Sequence, residues 1–138
     1  MESGVRGRQG KRMPKLWLGS AAIFGFLSVA LGAFGAHSLK NFLDEYGKSI
    51  WEKAVLYQMF HAMALFGIGL LQHLARETSF SPAGWGFLVG VVLFSGSLYI
   101  LAITGVKWLG AITPIGGVAF IFGWFYFVMA IIRARLRT

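Results

Sequence analysis

Four uncharged stretches, each about as long as a bilayer is thick, constrain this chain more than any other feature. Residues 16–36 form a 21-residue run without Asp, Glu, Lys or Arg, and residues 54–74, 84–103 and 108–132 are runs of similar kind. At about 1.5 Å per helical residue, such a run crosses a hydrocarbon core of about 30 Å. The composition agrees: 57% of residues are hydrophobic and 13% charged, too apolar for an ordinary soluble domain. The fold class expected is an all-α integral membrane protein, a compact bundle of four transmembrane helices over about 16–37, 54–74, 82–104 and from 108 or 114 to 132. A basic tail, expected to be disordered, precedes it at 1–15, and a second basic tail follows at 133–138.

The net charge of +8 at first suggests nucleic acid, but its distribution does not. Arg6, Arg8, Lys11, Arg12 and Lys15 precede the first span and Arg133, Arg135 and Arg137 follow the last, with Arg76 between the second and third. Only Lys40, Lys48, Lys53 and Lys107 fall on the opposite side. Positive residues collect on cytoplasmic loops, so both termini are expected in the cytoplasm, with the chain in the bacterial cytoplasmic (inner) membrane. The expected partners are the lipid bilayer, a second copy or another membrane protein, and not nucleic acid.

Residues 38–53 place Leu39, Phe42, Leu43, Tyr46, Ile50 and Trp51 at helical spacing, with Lys40, Asp44, Glu45, Lys48 and Glu52 between them. This reads as a short amphipathic segment between helices 1 and 2, lying on the outer surface, capped by Ser38 and weakened at Gly47. An ordered loop over the top of the bundle is the alternative. Ser81-Pro82 and Thr113-Pro114 suit an N-cap followed by a first helical residue. If Pro114 instead kinks a longer helix, that helix begins at Trp108. Trp17, Trp51, Trp85 and Trp108 stand at the starts of the four runs, where indoles anchor in headgroups, whereas Trp124 falls inside a span.

Packing in lipid depends on close approach, which small residues permit. Helix 1 offers Gly25, Ser28 and Gly32 on one stripe with Ala21 and Gly35, helix 3 offers Gly86, Gly90 and Ser97, and helix 4 offers Gly116, Ala119 and Gly123. These are the expected packing positions. Ala33-Phe34-Gly35 also resembles a small-x-small cleavage site, but the apolar run before it exceeds a signal-peptide core, and retention is expected.

The candidate functional cluster is Tyr57, Gln58 and His61 within the second span, with His37 at the outer end of the first. Residues at i, i+1 and i+4 meet one facing helix, and polar groups at membrane depth are functional candidates by default. Two readings stand. The cluster donates interhelical hydrogen bonds, to Ser28 or Ser97 for instance, or it serves a proton or small solute, since imidazole titrates near neutrality. Enzyme chemistry has little to use: no span contains a carboxylate, there is no cysteine, and Ser95-Gly96-Ser97 lacks a paired base. A bis-histidine haem would need two imidazoles at one depth, whereas His37 and His61 differ by about 10 Å on the helical rise. No catalytic residue, cofactor or metal is expected.

The stretches GAFGAH at 32–37, YQMFHAMAL at 57–65, LFSGSLY at 93–99, TPIGG at 113–117 and GW at 123–124 together resemble the domain of unknown function 423 family. The resemblance covers about 16–131. It implies a small multi-helix integral membrane protein, and brings no established cofactor or catalytic residue. A non-enzymatic structural, accessory or envelope-maintenance component is therefore the first expectation, and a minimal transporter or channel the second.

Overall fold

The computed structural model describes residues 13–134. They form α1 (Pro14–His37), α2 (Glu45–Leu74), α3 (Ser81–Thr104) and α4 (Thr113–Arg133), and all four are long and apolar enough to cross a membrane. Among the described residues there is no strand. Ile23, Phe26, Val29, Met63, Phe66, Val92, Ile100, Ile121 and Phe125 are all exposed, so each of these helices turns large apolar side chains outward. In water such a belt would drive aggregation; in a bilayer it meets acyl chains. This is a four-helix membrane protein.

The helices pair as two hairpins, α1 with α2 and α3 with α4, and α2 joins them by packing on α3. Trp17 of α1 stacks edge-on against Trp85 of α3, and Phe80 before α3 meets Phe127 near the end of α4. The start of α1, the start of α3 and the end of α4 therefore share one end of the bundle. That end has an apolar core in which Trp17, Leu65, Ile68, Phe80 and Phe87 are fully buried.

Several expected boundaries change. The amphipathic segment is present, with Leu39, Leu43, Ile50 and Trp51 buried and Lys40, Asp44, Glu45 and Glu52 exposed. Its second half is not a separate surface helix: residues 45–53 are the first turns of α2 and run on into the span. Asp44, not Ser38, caps α2, its Oδ1 accepting from the Gly47 amide at 2.6 Å. Gly47 thus belongs to the cap, where a missing side chain is tolerated, instead of dividing a helix. The third and fourth helices begin at Ser81 and Thr113 themselves, so neither hydroxyl residue occupies the N-cap, while Pro82 and Pro114 take the first-turn positions. Residues Lys107–Ala111 form a separate 3₁₀ turn, so helix 4 does not begin at Trp108.

Trp17 and Trp51 are not headgroup anchors either. Trp17 lies against Gly84, where any Cβ would collide with the indole, and Trp51 packs beside Gly35 and donates from Nε1 to the Leu31 carbonyl at 2.9 Å. Trp85 and Trp108 are exposed. The tail at 1–12 and Arg135 and Arg137 lie outside the described residues.

Candidate functional site

A helix that buries a polar side chain in lipid must supply it with a partner, since no water is there to do so. Gln58, His61, Ser28, Ser95 and Ser97 answer this demand through a seam of hydrogen bonds linking the four helices, whereas the buried Trp17 Nε1 has no hydrogen-bond partner among the described residues. Gln58 on α2 is 3% exposed, and both ends of its amide are used. Nε2 donates to the Phe24 carbonyl of α1 at 3.0 Å, and Oε1 accepts from the Tyr99 hydroxyl of α3 at 2.7 Å. One side chain therefore bridges three helices. Ser28, expected as a partner for Gln58 or His61, instead donates to the same Phe24 carbonyl from within its own helix at 2.7 Å.

His61 is also 3% exposed, one turn below Tyr57. Its Nδ1 lies 2.7 Å from the Tyr57 carbonyl, which only accepts, so Nδ1 carries the proton. Its Nε2 lies 3.0 Å from Trp124 Nε1, which only donates, so Nε2 is the acceptor. The two partners fix a single neutral tautomer. Phe120 stacks on the ring at 3.6 Å between centroids, and Phe60 approaches at its edge.

Further along α3, Ser95 sits in a five-residue π segment, Val91–Ser95, and donates to the Ala54 carbonyl of α2 at 2.7 Å. Ser97 meets Thr113 at 2.7 Å between hydroxyl oxygens, tying α3 to the first residue of α4. It does not reach Gln58 or His61.

The expected cluster is thus divided. Gln58 and His61 belong to the seam, but Tyr57 does not: the residue is 40% exposed, its ring stacks on Phe94 at 4.5 Å, and its hydroxyl makes no hydrogen bond among the described residues. It borders an open groove of about 560 Å³ between α2 and α4, shared with Phe60, Phe120 and Trp124. His37 stands apart at the end of α1, in another cleft. Sequence reasoning missed Tyr99, whose phenol at membrane depth was itself a signal, since such a hydroxyl seeks a partner when buried. It also missed Gln72, buried at the other end of α2, which donates to the Thr78 carbonyl and accepts from the Phe80 amide, shaping the turn into α3. Among the described residues, no three His, Asp or Glu side chains gather as a metal site would need.

The expected packing glycines also divide. A Cβ on Gly116 would strike the Phe94 backbone, one on Gly90 the Phe120 ring, and one on Gly123 the Phe87 ring. Gly32 has Val55 at an ordinary contact distance of 3.5 Å, and Gly25 faces open space, so Gly25 is not a packing position within this bundle.

The model of a family described as "Protein of unknown function (DUF423)" matches residues 31–117, more than half of the chain. The chain belongs to this family. Among the relatives of this chain, a UPF0382 membrane protein of Staphylococcus epidermidis is 47% identical over 119 residues, which is 86% of this chain and 97% of the relative. The UPF0382 membrane protein YwdK of Bacillus subtilis is 45% identical over 120 residues, 86% of this chain and 98% of its own. No solved structure matches. The DUF423 match runs from within α1 to the second turn of α4, a narrower range than the 16–131 of the sequence resemblance. It contains Gln58, His61, Ser95, Ser97, Tyr99 and Thr113, whereas Phe24, Ser28 and Trp124 fall outside it.

Proposed function

We propose that this DUF423 protein is a non-enzymatic structural or accessory component of the bacterial cytoplasmic membrane, a compact bundle whose intramembrane polar groups hold helices together. The observation that carries this reading is that both nitrogens of His61 and both ends of the Gln58 amide are occupied by partners on the chain itself. A proton added at Nε2 would face the Trp124 N–H, donor against donor, so a relay through His61 requires Trp124 to swing away. The first described helix begins and the last ends at one end of the bundle, and the Lys and Arg that the sequence carries before the first span and after the last support cytoplasmic termini.

The test is flux. Protein reconstituted in liposomes with a trapped pH-sensitive dye should leak protons no faster than empty liposomes. A leak above that background that His61→Ala abolishes would overturn the reading. Affinity capture from native membranes should recover a stoichiometric partner or a second copy. Because the chain has no cysteine, single cysteines placed near Lys15 and Lys107 report sidedness without background, and only the second should label from outside.

One observation favours a minimal transporter: the unbonded Tyr57 hydroxyl lies on the groove that His61 backs. In that case Tyr57→Phe lowers the liposome flux, which the first reading does not allow.

A further inference from the structure

His37 ends the GAFGAH stretch and takes no part in the seam. Its surroundings have a different chemistry. The last turn of α1 and the first turns of α2 enclose a cleft of about 720 Å³. His37, Lys40 and Lys48 line its polar end, while Gly32, Val55 and Met59 line it further into the bundle. Lys48 pairs with Glu45 at 3.2 Å, and of these three side chains it alone has an ion pair or hydrogen bond among the described residues. Glu52 is the acid in the same lining.

We propose that this cleft holds one anionic phospholipid, its phosphate at His37, Lys40 and Lys48 and one acyl chain along Gly32, Val55 and Met59. Two features select this occupant. The charge is confined to one end: on α2, Lys48 and Glu52 precede Val55 and Met59, as a headgroup precedes its chain. The walls are fixed, since the Trp51 indole is bonded to the Leu31 carbonyl and packed against Gly35, and Gly32 leaves the space beside Val55 without a large side chain. Glu52 is placed to accept from a headgroup hydroxyl, which favours a glycerol headgroup over choline. The proposal does not depend on the structural reading above, since a transporter would carry the same cleft.

Native mass spectrometry of delipidated full-length protein, titrated with phosphatidylglycerol or phosphatidylcholine, tests it. Wild type should hold one phosphatidylglycerol at markedly lower concentration than phosphatidylcholine. Each Lys or Arg near a membrane surface contributes about fivefold in affinity, so replacing Lys40 and Lys48, together with His37, by glutamine should remove that preference. Lys107→Gln, on the same end but in another cavity, should keep it. Met59→Trp, at a half-exposed position whose substitution spares the core, should weaken both lipids by filling the apolar part. Equal binding of the two lipids, or a preference surviving the triple variant, overturns the proposal. So does displacement of the lipid by inorganic phosphate at matched concentration, which would mean that the anion alone is recognised.

Discussion

In the α3–α4 hairpin, backbone meets backbone: a Cβ on Gly86 would lie 2.8 Å from the Gly123 Cα and 2.9 Å from the Ala119 carbonyl oxygen. In the α1–α2 hairpin, side chains fill the gap instead: Gln58 reaches Phe24, Trp51 reaches Leu31 and closes on Gly35, and Leu18 closes on Gly69, while Gly19 and Gly25 meet nothing. Both hairpins carry small residues at helical spacing. What separates them is whether something on the facing helix uses the space. The small-residue stripe is therefore a permission, and the partner face decides whether it becomes a contact.

The largest effect should come from filling the glycine contacts. Gly86→Ala and Gly116→Ala each push a methyl into backbone that cannot rotate away, and each should cost about 1–3 kcal/mol in reversible unfolding from bicelles. If either variant unfolds like wild type, the α3–α4 hairpin is not held by close approach, and the contrast fails.

The four spans were legible because crossing a bilayer needs about 20 apolar residues, a demand that composition alone reveals. Rotation about each helix axis was far less legible. Trp17 and Trp51 were placed at the correct ends of their helices, but hydropathy gives depth and not direction, so their burial against Gly84 and Gly35 was hidden. The extension of α2 back to Glu45 was obscured for a related reason: an amphipathic stretch has the same pattern whether it lies on a membrane or continues a helix out of it. Of the candidate cluster, Gln58 and His61 were recognisable as polar groups at depth. Their partners, a backbone carbonyl, Tyr99 and Trp124, depend on how four helices dock, which no local spacing encodes.

The next effect belongs to the polar hairpin. Gln58→Leu removes two interhelical bonds and leaves the Tyr99 hydroxyl without its acceptor, and a cost of about 1–2 kcal/mol is expected. Tyr99→Phe removes one of the same bonds and should cost about 0.6 kcal/mol. Because the two changes share a bond, the double variant should lose less than the sum. Additive losses would mean that Gln58 stabilises only through Phe24. His61→Phe keeps a ring on Phe120 but deletes both the acceptor for Trp124 and the donor to the Tyr57 carbonyl; only the first bond joins two helices, and about 0.6 kcal/mol is again expected for it. Adding Trp124→Phe should then cost no further hydrogen bond. These modest values sharpen the contrast, because the loss of a single bond costs less than one misplaced methyl in the other hairpin.

The smallest effect, and the most direct check of the comparison, is Gly25→Ala. Gly25 stands at a packing spacing within GFLSVALG, yet a Cβ there meets no atom within 4 Å. Alanine also restricts the chain less favourably disposed to helix at glycine, so stability should be unchanged or higher by up to about 0.5–1 kcal/mol. The measurement is the same unfolding in bicelles, at two protein-to-lipid ratios. A loss that grows as protein becomes more concentrated would place a second copy against this face of α1. A loss independent of concentration would mean that α1 and α2 pack more closely than the crossing Gln58 and Trp51 allow, and that the two hairpins are held by the same means after all.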